Sequence, residues 1–359
     1  AAHQIMAEAM RKEGLQLVNL ISPGTGHVID PITHREQMRL IGAFAARGVD
    51  HAPRELKFVT WTLKYSSCHW LRVLALKQHY ARSELAATLN DDGSIDVDEP
   101  KNITAFSLAP PPPWSSSQRL RIGGREIVCP KRAAESQKPI LMTLQDGRWV
   151  VLESPATNGA YNGKRPGLQG PIDDAFTSPF LCVHGTGDAW NPAVQAWADA
   201  NLRRFAYEWN RYFRGELRIK DDADVTEDDR RRFNLLLFGD PGSNALLREA
   251  LPKLPIEWTE KELHADGRSY TAAKHAPALI CPSPFSPDSR YLVVNSGHTF
   301  HEAELASLNY LLFPRLGDWA VFKLGEKQPE EPAAALDEQV LQAGFFDEQW
   351  RFHAPATGQ

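Results

Sequence analysis

The residues best suited to chemistry lie in "ISPGTGHVIDPITHREQMRLIGAF", from Ile21 to Phe44. His27 stands on a turn bracketed by Gly24 and Gly26, after the strand-like "LQLVNLI" and before a helical pattern. Glycines let the chain turn sharply and leave room beside an imidazole. Such a histidine suits general acid–base work in acyl transfer: it takes a proton from a serine hydroxyl and returns it to the leaving group. On these residues alone, His27 is either the base of a Ser-His-Asp triad or a loop histidine that caps or packs locally. Only twenty-six residues precede His27, and they hold no nucleophile motif. Asp30 reads as the N-cap of the following helix, with Pro31 at its first position, and not as the triad acid.

A second group of candidates falls at the ends of later strand-like runs. "CVHGTGDAW" offers Asp188, "LLLFGDPGSNALL" offers Gly239, Asp240, Ser243 and Asn244, and "VVNSGHTFH" offers His298. Carboxyl ends of parallel strands are where open α/β sheets place ligands. One reading joins Asp188, Ser243 and His298 as a separate catalytic site, although no GxSxG elbow exists in the chain. Another makes residues 171–325 a noncatalytic ligand-binding or interaction module. Its backbone N–H groups at Ser243 and Asn244 would be open to an anion, with Asp240 opposing a strongly negative one. The plainest reading makes Gly239 to Ser243 a short strand-to-helix connection.

Composition excludes several classes. The chain has 359 residues, 42% hydrophobic and 24% charged, with net charge −5. That is ordinary for a globular protein and provides no broad basic surface for nucleic acid. No apolar run of about eighteen residues predicts a membrane span. Cys68, Cys129, Cys182 and Cys281 are far apart and form no CxxC, and the histidines form no HExxH. Neither a metal site nor a cofactor is expected. The cysteines read as buried free thiols, with one disulfide as the alternative. The opening "AAHQIMAEAMRKEG" reads as an amphipathic helix and as a chain cut from something longer, any targeting signal having gone with the missing part.

The elements that must position these residues form five regions. Residues 1–50 read helix, strand, turn, helix. Residues 54–152 alternate and carry Gly-Gly and Asp-Gly hairpin signals, so a small β-sandwich is expected. Val59, Trp61, Leu63 and Tyr65 are expected on one face of its first strand, Trp61 and Trp70 inside, and Trp114 exposed after four prolines. Residues 153–178 read as a linker. Residues 179–325 alternate strands with helices, among them "FHEAELASLNYLLF", and predict a mostly parallel three-layer α/β domain. Trp197 and Trp209 lie on the apolar face of a long helix there. The tail, 326–359, is expected to be partly disordered.

The runs "GTGHVIDP", "LKFVTWTLKYSSCHWLRV", "KNITAFSL", "GPIDDAF" and "LFGDPGSN" in this order resemble the C-terminal portion of bacterial prolyl-oligopeptidase-like α/β-hydrolases with an additional C-terminal module. The resemblance spans roughly residues 1–325. It implies that residues 1–50 are the end of an α/β-hydrolase domain and that His27 matches the triad histidine. It also implies that the serine and the acid lie in a missing N-terminal hydrolase segment, upstream of Ala1. The implied substrate is a peptide or ester, the implied setting an exported, periplasmic or extracellular bacterial protein. This chain alone would then be inactive.

Overall fold

The computed structural model describes residues 2–111, 119–127, 138–152, 163–300 and 315–353. Trp114, Cys129 and nearly all of the expected helix after His298 lie outside them. The architecture is mixed α/β with several sheets and divides into two units, Ala1–Pro53 and Arg54–Gln359. No described helix is long and apolar enough to cross a membrane.

The first unit holds α1 (Ala2–Lys12) and α2 (Pro31–Arg47). Asp30 caps α2 as its position predicts: Oδ1 accepts from Ile32 N at 2.9 Å and Thr33 N at 3.0 Å. These bonds satisfy donors that the first helical turn leaves open. Pro31 fits at N1 because its missing N–H costs nothing there. The expected strand at Leu15–Ile21 is absent: the backbone there is irregular. Strand geometry needs a neighbour for its N–H and C=O groups, and none pairs with this run among the described residues. No described residue of the unit is buried, and Ile32, Met38, Ile41 and Phe44 of α2 are all exposed.

The second unit begins with a sandwich of ten strands: β1 (Glu55–Thr60), β2 (Ser67–Cys68), β3 (Leu71–Leu76), β4 (Ser83–Leu89), β5 (Ile95–Val97), β6 (Ile103–Leu108), β7 (Leu120–Ile122), β8 (Arg125–Ile127), β9 (Ile140–Gln145) and β10 (Arg148–Leu152). They form two sheets, ordered β1-β4-β5-β7-β8 and β10-β9-β6-β3-β2. The hairpin signals are realised. Gly123 and Gly124 have φ of 55° and 76°, and Asp146 and Gly147 have 47° and 73°. Two consecutive positive φ angles give the turn whose twist matches paired strands. β4 alternates inward Ser83, Leu85, Ala87 and Leu89 with half-buried partners. The core includes Leu71, Val73, Phe106, Leu108 and Ile140. Each such side chain stabilises the fold by about 2 kcal/mol. Trp70 is buried as expected, but Trp61 and Tyr65 are exposed, because β1 ends at Thr60 and the chain turns there.

A seven-stranded sheet follows, built from β11 (Phe180–His184), β12 (Ile219–Asp221), β13 (Asn234–Phe238), β17 (His275–Pro282), β18 (Tyr291–Val294), β19 (Trp319–Leu324) and β20 (Glu338–Gly344). Its order is β12-β11-β13-β18-β17-β19-β20. A separate three-stranded sheet holds β14 (Glu257–Trp258), β15 (Glu262–Ala265) and β16 (Arg268–Thr271). The helices are α3 (Pro192–Glu208), α4 (Glu227–Arg232) and α5 (Ala245–Ala250). The large sheet is mixed, which corrects the expectation of a mostly parallel one. β12, β11, β13 and β18 run parallel, while β17, β19 and β20 join antiparallel. The cause is connectivity: the short turn from β17 to β18 makes a hairpin, and hairpin neighbours must oppose each other.

Two further expectations change. The tail supplies edge strand β20, and beyond it Phe346 and Trp350 are buried in the α/β core. The supposed linker is packed from residue 163 onward, with Leu168, Ile172 and Ala175 buried. The sandwich and the α/β sheet thus share one compact unit. Polar contacts join them: Lys64 Nζ donates to Asp174 Oδ1 at 2.6 Å, Leu63 N to Gln169 Oε1 at 2.9 Å, and His79 N to Glu348 Oε1 at 2.7 Å. Cys68, Cys182 and Cys281 are free thiols, and burial pushes the Cys281 thiol up to about 12.

Candidate functional site

The parallel strands reverse their order between β11 and β13. β12 lies on one side of β11, and the chain then crosses to β13 on the other. A crevice for a ligand is expected at such a point, outside the carboxyl ends. Here it is filled by the chain itself. The loop after β11 and the loop after β13 pack back to back, with Gly187 N donating to Ser243 O at 2.8 Å. A Cβ on Gly242 would stand 2.6 Å from the Asp188 carbonyl oxygen, and one on Gly185 would stand 2.9 Å from Asn244 Cβ. Glycine is required at both positions by this close approach.

Asp240 occupies the place an anion would take. Its fully buried carboxylate accepts from Gly242 N at 2.9 Å, Ser243 N at 3.0 Å, Trp190 N at 3.2 Å and Asn191 N at 2.9 Å. Converging backbone donors form an anion-binding nest, and an internal anion already satisfies this one. It also ties down Trp190 and Asn191, the two residues just before α3. Asn244 N donates to Asp240 O at 2.9 Å, so the second donor proposed for an external anion is engaged too.

Ser243 and Asn244 are tied just as firmly. Ser243 Oγ accepts from Asp240 N at 3.0 Å and donates to Asp240 O at 3.2 Å. Asn244 Oδ1 accepts from Leu247 N as the cap of α5, and its Nδ2 donates to the carbonyls of Val183 and Phe238. Gly239 has φ of 124°, and a Cβ there would run into the Ser243 hydroxyl. Its N and O pair with the Asn295 side-chain amide at 2.9 Å each. Asp188 is exposed.

His298 belongs to different surroundings. Its buried ring lies among Phe176, Phe205, Trp209 and Phe213, with centroids 6.4, 5.2, 6.5 and 5.8 Å away. His298 Nε2 is 3.8 Å from Glu208 Oε2, and Arg204 Nε donates to Glu208 Oε1 at 3.2 Å. Asp188, Ser243 and His298 all fall at strand ends, yet no hydrogen bond connects them, and no histidine takes part in either Ser243 hydroxyl bond. They do not form a triad. A cavity of about 250 Å³ opens beside His298, lined also by Asn201, Thr299, Arg315 and Glu338.

His27 is exposed on its turn, where Gly24 takes φ of 70°. Asp30 is not available to it as a triad acid. Its Oδ2 accepts from Thr33 Oγ1 at 2.5 Å, and its other oxygen caps α2. The Thr33 hydroxyl and backbone hold the Asp30 carboxyl down to about 2.

One constellation has no counterpart in the sequence reading. His184 closes β11 with Nε2 3.2 Å from Asp199 Oδ1 and Nδ1 3.2 Å from Asp221 Oδ1. Gln195 Nε2 donates to Asp199 Oδ1 at 2.7 Å. A cavity of about 290 Å³ adjoins it, lined by Leu202, Arg203, Ala206 and Ile219 as well, with no hydroxyl or thiol in the wall. The three residues come from a strand end, a helix and a charge run, so no local motif announces them. Among the described residues, no group of three or more His, Cys, Asp or Glu side chains is arranged to hold a metal ion.

No family model, curated protein or solved structure matches this chain.

Proposed function

We propose that residues 1–53 complete an α/β-hydrolase domain of the prolyl-oligopeptidase type, with His27 as general base and then general acid. The exposed apolar stripe of α2 is the observation that carries this reading. Met38, Ile41 and Phe44 follow one another at intervals of three on one side of α2, and none is buried. A stripe of that kind needs an apolar partner surface, which a hydrolase sheet supplied by further polypeptide would provide. The start of α2 supports it further, since Asp30 N donates to Ser22 Oγ and Thr33 Oγ1 to Ile21 O, each at 3.2 Å, closing the segment that carries His27.

In the complete site, one ring nitrogen of His27 takes the serine proton as Oγ attacks the carbonyl carbon of a peptide or ester. The protonated ring then gives that proton to the departing amine or alcohol. Water repeats the cycle and releases the acid. The serine and the triad aspartate come from the partner segment. The same reading carries with it an exported bacterial protein. The test is fluorophosphonate labelling of polypeptide that joins a hydrolase segment to this chain, beside the chain alone. Labelling of the joined form alone is the expected result, and its absence from both overturns the proposal.

A second reading concerns residues 171–325. The cavity beside His298, together with a Ser243 hydroxyl bound wholly within its own loop, supports a noncatalytic binding module there.

A further inference from the structure

Lys164 and Asp318 meet inside the α/β core, shut off from solvent. Their side chains are 1% and 0% exposed, and Lys164 Nζ stands 2.7 Å from Asp318 Oδ2. Three chain segments converge there. Lys164 lies in the packed segment ahead of β11, Asp318 directly precedes β19, and Phe346 follows β20. The Phe346 backbone touches both charged groups. Its C=O accepts from Lys164 Nζ at 3.0 Å, and its N–H donates to Asp318 Oδ2 at 2.9 Å. The Trp350 ring covers Nζ, with its centroid 5.3 Å away. Asp318 Oδ1 has no hydrogen-bond partner among the described residues. It lies so close to Gly170 that a Cβ there would run into it.

An ion pair fits this set of partners poorly. An ammonium only donates and a carboxylate only accepts. The site pairs Oδ2 twice and leaves Oδ1 buried and unpaired, which is costly in a low-dielectric interior. A secondary amide between the two side chains fits better. Its N–H has the Phe346 carbonyl, its oxygen has the Phe346 N–H, and no orphan oxygen remains. Burial also pushes the Asp318 carboxyl up, toward the neutral acid that can lose a hydroxyl.

We propose that Lys164 and Asp318 condense in the folded chain to an intramolecular isopeptide bond between Nζ and Cγ. The ion pair in this structure is the reactant. One proton passes from the ammonium to the carboxylate and leaves a neutral amine beside a neutral acid. The Nζ lone pair then attacks Cγ, while the Phe346 N–H holds Oδ2 where negative charge develops. The Nζ–Cγ bond forms and the Cγ–Oδ1 bond breaks. Oδ1 leaves as water with two of the original ammonium protons, and the third stays as the amide N–H. No external reagent takes part. The fold favours the amide side by excluding solvent and by holding nucleophile and carbonyl together. The product closes a loop between residues 154 positions apart, which restricts the unfolded chain. The proposal is independent of the role of His27.

Intact-mass spectrometry of the full chain, unfolded in acid, tests it, with tryptic mapping of the same sample. The expected mass is lower than the sequence mass by one water. The map should show a branched peptide joining the segments that carry Lys164 and Asp318, with no cleavage after Lys164. Lys164→Arg and Asp318→Leu should each restore the full mass of the variant. Full sequence mass for the parent after prolonged incubation at neutral pH overturns the proposal. So does a water lost within one linear peptide, as in an aspartyl succinimide, or a loss that persists in both variants. The parent mass and its peptide map decide the matter whether or not a variant folds.

Discussion

Ser243 and Asp240 close a ring on each other. The serine oxygen accepts the Asp240 N–H at 3.0 Å and donates to the Asp240 carbonyl at 3.2 Å, while the Asp240 carboxylate accepts the Ser243 N–H at 3.0 Å. The motif that most imitates a nucleophile turn in this chain is thus a self-satisfied joint. Its polar groups hold two loops together at the point where the sheet changes direction.

Ser243→Ala is therefore expected to cost about 1–2 kcal/mol of stability by orphaning the buried Asp240 N–H. Asp240→Ala should cost about 3 kcal/mol or more, because four backbone donors lose their acceptor. Urea midpoints of the two variants check the order. An Asp240→Ala midpoint equal to that of the parent would refute the role assigned to the carboxylate.

Lys164 and Asp318 form a fully buried ion pair at 2.7 Å, with Lys164 also donating to Phe346 O at 3.0 Å. Burial pushes the Asp318 carboxyl up, and the Lys164 ammonium opposes that push. Removing one partner strands the other charge, so Lys164→Met should cost about 3–5 kcal/mol. The double variant Lys164→Met with Asp318→Leu should recover much of that loss. Additive losses in the double-mutant cycle would contradict this coupling.

Asp229 provides a pH test. The Lys220 ammonium, with the Thr226 hydroxyl and backbone, holds its carboxyl down to about 2 against the upward push of burial. An unfolded aspartate titrates near about 3.9. The unfolded chain therefore takes the proton first as pH falls. The stabilisation is complete above about pH 4 and is lost as pH falls toward about 2. Asp229→Asn should flatten the stability curve across that window, as read by denaturant midpoints. An unchanged slope would contradict the assignment.

Much of the local architecture was legible because it depends on near neighbours. The Asp30 cap and the positive φ angles at Gly123–Gly124 and Asp146–Gly147 follow from residue type alone. Leu15–Ile21 misleads because alternation marks a strand only where another strand accepts its bonds. β20 escaped notice because "EQVLQAG" is a largely exposed edge strand without a buried face. At the candidate site, the strand ends carrying Asp188, Ser243 and His298 were correctly located along the chain. That the loops of Asp188 and Ser243 pack together while the His298 ring lies among aromatic side chains was not legible, since it depends on which elements become neighbours. The grouping of His184 with Asp199 and Asp221 has the same origin: residues 15 and 37 positions away meet only once α3 and β12 have packed.

The measurement closest to the central claim is the rate of fluorophosphonate labelling in polypeptide that joins a hydrolase segment to this chain, comparing the parent with His27→Gln and Ser243→Ala. The account predicts that His27→Gln loses at least about a thousandfold in labelling rate, while Ser243→Ala labels as the parent does. Labelling that survives His27→Gln but disappears with Ser243→Ala would contradict it.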